Sequence, residues 1–111
     1  MDKITLYRMI LGDIFQLKYI PHVVRKSRIT WGGNTDCFGM YYGETVRGDK
    51  IKHRIEYYYK TTDEIIFTTL AHEYVHAWQM ERNLDLDHDS PEFKMWEDYF
   101  LNHFDLELQF N

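Results

Sequence analysis

Apolar positions near the N-terminus recur at helical spacing. Ile4, Tyr7, Ile10 or Leu11, Ile14 and Leu17 share one face, which predicts an amphipathic helix over about residues 3–19. Pro21 is expected to end it, because the residue before a proline avoids helical angles. From Arg28 to Lys60 the period changes to two. Ile29 and Trp31 precede the turn signal Gly32-Gly33-Asn34, and Phe38, Met40 and Tyr42 alternate within Cys37–Glu44. Gly48-Asp49 marks another turn, after which Ile51, His53, Ile55, Tyr57 and Tyr59 alternate with polar residues. The pattern predicts three short strands in an antiparallel meander.

The period then lengthens again. Thr61-Thr62-Asp63-Glu64 has the form of a capping box, with Thr61 as N-cap, and opens a helix over about residues 62–82. One face carries Phe67, Leu70, Ala71, Tyr74, Val75, Ala77 and Trp78; the other carries Ile65, Ile66, Thr69, His72, Glu73, His76 and Met80. A helix apolar on both faces is expected to be buried, so its polar side chains need partners. After an acidic loop over Asn83 to Asp89, Ser90 and Pro91 read as N-cap and first position of a last helix. Its inward stripe would be Phe93, Trp96, Phe100 and His103/Phe104. The expected fold is therefore α+β: an N-terminal helix, a small sheet, a buried helix and a C-terminal helix.

The 111 residues fit a single domain over 1–111, and 44% apolar with 17% aromatic residues is enough for a core without disulfides. Cys37 has no partner for an internal disulfide, which suits a reducing, cytoplasmic setting. Met1-Asp2-Lys3-Ile4 does not begin a secretory signal, and no apolar run approaches the roughly 20 residues of a membrane helix. A soluble intracellular protein with no membrane partner is expected. The net charge of −5 is unevenly spread: Gln16 to Arg54 holds eight Lys/Arg against three acids, and Ile55 to Asn111 holds three against thirteen. Such a split marks either a surface that faces a polyanion or simply a solvated face.

The chemistry is concentrated in His72-Glu73-Tyr74-Val75-His76, an H-E-x-x-H pattern. Residues four apart on a helix lie one above the other, so two imidazoles can grip one ion, while Glu73 points round the same side without ligating it. The bland alternative is a pair of core histidines bonded to backbone carbonyls. A catalytic zinc site takes three protein ligands and leaves one position open. Candidates for the third are His88, Asp85, Asp87, Asp89 and Glu92, and more distantly His22, His53 and His103. His88 is best placed, twelve residues past His76 and just before the capped last helix. Asp87 and Asp89 flank it and are placed to accept a proton from a ligand imidazole.

The run from His72 to Trp78, followed by His88-Asp89-Ser90-Pro91-Glu92-Phe93, resembles the SprT-like metallopeptidase domain, the family of Spartan-type proteases that degrade proteins crosslinked to DNA. That family pairs H-E-x-x-H-A with a later His-Gly-x-x-Phe/Trp segment and has a strand glycine like Gly39. The resemblance is specific from about Thr69 to Trp96 and looser upstream. It implies a zincin-like domain in minimal form, without a zinc ribbon, in which His72, His76 and His88 bind Zn2+. Glu73 would be the general base for hydrolysis of peptide bonds by a zinc-activated water. It also implies protein or peptide substrates, with DNA as a further partner and crosslink repair as the setting. Asp89 departs from the pattern, standing where the family commonly has Gly.

A rival from another class is a non-catalytic, zinc-stabilised module that binds DNA or protein; a third is a metal hydrolase acting on a non-peptide bond. His53, Tyr57 and Tyr74 are the candidates for stabilising an oxyanion. Tyr57-Tyr58-Tyr59 reads as a strand with Tyr58 outward, or as a stacking platform for bases. Lys18–Arg28 with Trp31 is a candidate phosphate contact, and Cys37 reads as a buried small hydrophobe.

Overall fold

The computed structural model describes residues 1–108, in which three helices pack with a small mixed sheet in an α+β arrangement. Helix α1 spans Lys3–Phe15, with Asp2 accepting from the Thr5 N–H at its start. It stops well before Pro21. Gln16 turns left-handed at φ 50° and returns its N–H to the Gly12 carbonyl at 2.9 Å, which ends the helix after Phe15 rather than near residue 19.

The sheet departs from the expected meander. Its strands are β1 (His22–Lys26), β4 (Gly39–Val46) and β5 (Lys50–Tyr58), in the order β1-β5-β4. β4 and β5 form the expected antiparallel hairpin, turning at Arg47 and Gly48, both with positive φ. β1, however, lies parallel to β5, with Val23 opposite Ile55 and Arg25 opposite Tyr57. The predicted first strand never joins this sheet. Thr30–Trp31 (β2) pairs with Thr35–Asp36 (β3) as a separate ribbon, turned by Gly32 and Gly33 at φ 66° and 89°. Val23 and Val24 supply the apolar positions that make β1 competent as the third strand.

Helices cover one face of the sheet. His53, Ile55 and Tyr57 share one buried face of β5 on which α2 (Asp63–Glu81) lies, and Glu56 between them is buried on the other face. Thr62, one residue later than expected, caps α2 by accepting from the Ile65 N–H. Nearly every position from Ile66 to Ala77 is buried, on both faces of the helix. Behind it, the Phe15 ring meets Tyr74, Trp96 and Phe100 at 5.9, 4.3 and 5.9 Å between centroids, joining α1, α2 and α3 (Pro91–Phe104) in one core. On α3, Phe93 and Phe100 are buried as the pattern requires, whereas His103 and Phe104 are exposed. On the open face of the sheet, Glu56 takes Arg54 at 2.9 Å and Lys26 at 3.8 Å, so part of the basic segment is neutralised in place. None of the helices among the described residues is long and apolar enough to cross a membrane.

Candidate metal centre

Two helix ends build the site. α2 closes with Asn83 left-handed at φ 55°, its N–H on the Met80 carbonyl and the Leu84 N–H on the Gln79 carbonyl. This Schellman turn sends the chain back along the helix it has just left. Asp87 then folds the loop: its carboxylate accepts from the Asp89 N–H and its carbonyl from the Ser90 hydroxyl, both at 2.9 Å. Ser90 in turn caps α3 by accepting from the Phe93 N–H. His88 is held in the middle of this turn, over α2.

His72 and His76, one turn apart on α2, aim their Nε2 atoms at His88. The separations to His88 Nε2 are 3.0 Å from His72 and 2.9 Å from His76, and the three ligand atoms all lie within 4.8 Å of one another. The opposite nitrogens are committed. His72 Nδ1–H donates to the Leu108 carbonyl and His76 Nδ1–H to the Gln79 side-chain oxygen, each at 2.9 Å. Both Nε2 atoms facing His88 therefore act as acceptors, and nitrogens converge at such distances only around a proton or a cation. Three nitrogens on one tetrahedral zinc ion, each about 2.0–2.1 Å from it, stand roughly 3.3 Å apart. The donor set fits a metal.

Electrostatics favours the same form. Burial pushes His72 down to about 3 and His76 down to about 4, so both are neutral at neutral pH, the form that a metal ion would require. Beside them Glu73 is 7% exposed, and burial pushes its carboxyl up to about 8. Its Oε2 lies under Gly39 of β4, where an added Cβ would stand 3.1 Å away and would overlap Thr69 Cγ2. Glycine at this position lets the edge strand lie directly against the carboxylate. The resulting cleft, about 620 Å3, is lined by the three histidines, Glu73, residues 37–41, Trp31, Thr35 and Leu86.

No family model, curated protein or solved structure matches the chain. Functional assignment therefore rests on the residues of this cleft.

The other candidate ligands lie apart from the cluster. Asp85, Asp87 and Asp89 are exposed on the loop, Glu92 is half-buried on α3, and His22 is exposed on β1. His103 bonds the Tyr99 carbonyl on α3. His53 is fully enclosed between Tyr41, whose hydroxyl is 2.6 Å from Nδ1, and Glu81, 2.8 Å from Nε2. The same Glu81 carboxylate accepts the Lys18 and Tyr19 N–H groups, fixing the segment after α1. His53 is thus committed to packing rather than to the cleft, and neither Tyr57 nor Tyr74 lines the cleft. Cys37 does line it and is half-buried rather than buried. Of the tyrosine run, Tyr57 is buried and Tyr58 lies beside Phe38, while the Arg25 guanidinium covers Tyr59 at 4.0 Å. Two functional partners carried no sequence signal: the Gln79 amide and the Leu108 carbonyl do the orienting that Asp87 and Asp89 were expected to do.

Proposed function

We propose that this chain is a zinc-dependent metalloendopeptidase, with His72, His76 and His88 holding the ion and Glu73 as general base. One observation carries the reading: three imidazole Nε2 atoms and a buried carboxylate meet in one cleft beside β4, which is the edge strand of its sheet among the described residues. Three imidazole ligands with one position left open are the ligand set of catalytic rather than structural zinc, which closes with four. When bound, the ion supplies Lewis-acid polarisation of the scissile carbonyl and acidification of a water.

The protein's own groups do the rest. Glu73, desolvated and therefore strongly basic once ionised, takes the proton of the attacking water and returns it to the leaving nitrogen. The Leu108 carbonyl and the Gln79 amide fix the tautomers of His72 and His76. β4 orients the substrate. Tyr58 N–H bonds the Phe38 carbonyl at 2.8 Å, so by antiparallel alternation the main-chain groups of Gly39 and Tyr41 point away from β5, toward the outer edge of the sheet. An extended peptide pairs there, across Glu73.

This reading agrees with the SprT-like resemblance and with a zincin-like architecture, in which a helix carries two histidines beside a sheet edge and a turn delivers the third. DNA as a recruiting partner rests on the resemblance alone. The deciding experiment couples metal analysis to cleavage of an unfolded protein, with and without single-stranded DNA. The expected result is one zinc per chain and cleavage that Glu73→Gln lowers by about 10²–10⁴-fold with zinc retained. Undiminished proteolysis by that variant would reject the mechanism. Stimulation by DNA would support a role on DNA-bound proteins.

A further inference from the structure

The mouth of the cleft is more apolar than solvent exposure favours. Trp31 is 68% exposed and Leu86 is 45% exposed, yet both line the cavity that holds the histidines. They come from different parts of the fold. Trp31 is displayed by the β2–β3 ribbon, opposite Thr35, and Leu86 by the loop that returns from α2 to His88. Single exposed apolar side chains are ordinary on a protein surface, but two on one cavity that also holds Met40 and Phe38 form a patch. Neither side chain serves the core cluster.

The charge around the cleft narrows the occupant. Among the described residues lining it none is Lys or Arg, and the loop bearing Leu86 exposes Asp85, Asp87 and Asp89. Beside this loop, away from the histidines, an acidic segment meets repulsion; a neutral or basic one does not. Among the described residues no strand pairs the outer edge of β4, which runs along the same cavity, so the fitting occupant is extended polypeptide, whose backbone groups complete that edge.

From these features we infer that Trp31 and Leu86 form a specificity subsite, which selects extended polypeptide carrying a large apolar side chain next to the scissile bond and disfavours acidic segments. The inference rests on the peptidase reading for its biological meaning, but its test does not depend on turnover. The probe is a pair of fluorescein-labelled Gly/Ser peptides, one with a central Phe and one with a central Asp. Binding to the zinc-loaded Glu73→Gln protein is followed by fluorescence anisotropy. Burial of one aromatic side chain predicts that the Phe peptide binds about tenfold or more tightly than the Asp peptide. Trp31→Ala and Leu86→Ala should each remove most of that preference while leaving the thermal midpoint unchanged, because both side chains lie outside the core. Equal binding of the two peptides, no binding of either, or a preference that survives both substitutions would overturn the subsite. Selective binding without any cleavage by the unaltered protein leaves the subsite standing and removes the peptidase reading. Cleavage with no preference between the peptides does the reverse.

Discussion

His76 and Gln79 face each other across one turn of α2, the imidazole Nδ1–H donating to the amide oxygen at 2.9 Å while the amide nitrogen reaches the Asp87 carbonyl at 3.4 Å and the Ser90 hydroxyl at 3.3 Å. One fully buried glutamine therefore orients His76 on α2 and tethers the loop that delivers His88. Gln79→Met keeps the volume and removes both functions. Zinc affinity, measured by chelator competition at neutral pH, is expected to fall about 10–100-fold. Unchanged affinity would show that the loop holds His88 without the tether.

His88 separates metal binding from folding, because it is exposed while His72 and His76 are buried. His88→Ala should leave the stability of the metal-free protein within about 0.5 kcal/mol of the parent. Added zinc at a hundredfold excess over its dissociation constant stabilises the parent by about 2.7 kcal/mol, and the variant should lose most of that gain. Chemical denaturation with zinc and with chelator measures both quantities. A full zinc response in the variant would remove His88 from the ligand set.

Gly39 sets how closely the edge strand lies against α2. A Cβ at this position overlaps Thr69 Cγ2, which sits on a buried helix with little room to yield. Gly39→Ala is expected to cost about 1–3 kcal/mol and to lower cleavage by moving the strand off Glu73. Thr69→Ser removes the offending methyl, so the double variant should recover part of the loss, a coupling of about 0.5–3 kcal/mol in a double-mutant cycle. Strict additivity would mean that the two atoms do not meet.

The buried groups give the metal-free protein a peaked dependence on pH. His72 and His76 are held at about 3 and about 4, against an ordinary value of 6.5, so below pH 6.5 the unfolded chain gains protons that the folded one refuses and stability drops. Glu73 acts in the opposite sense. Its folded carboxyl keeps its proton up to about 8, against an ordinary 4.5, so its contribution is whole below pH 4.5 and is lost as pH rises toward 8. The maximum falls near pH 6.5. Denaturation in chelator should show the parent losing roughly 2 kcal/mol between pH 6.5 and 8 relative to Glu73→Gln. Parallel curves for the two proteins would mean that the carboxyl is not held protonated.

What the chain disclosed beforehand was its local and strongly periodic part. α2 and α3 were readable because Thr and Ser caps, Pro91 and a sustained apolar pattern act within a few residues, and the histidine spacing follows from helix geometry alone. β1 was hidden: two valines between basic residues resemble a loop until β5, some thirty residues on, offers a parallel edge, and such pairing leaves no local trace. The end of α1 was misplaced because Gln16, with no special tendency of its own, adopts a left-handed turn that the later proline does not dictate. Gln79 and Leu108 escaped notice for a related reason. An amide inside a helix and a main-chain carbonyl look alike whether or not an imidazole rests on them.

The bond from His72 to the Leu108 carbonyl spans 36 positions of the chain. An emerging polypeptide that has formed α2 already carries two histidines in register, but the first of them acquires its tautomer only when the stretch beyond α3 has doubled back. The aim of the first ring is thus a tertiary property, set by a contact 36 positions away and not by the helix that carries it.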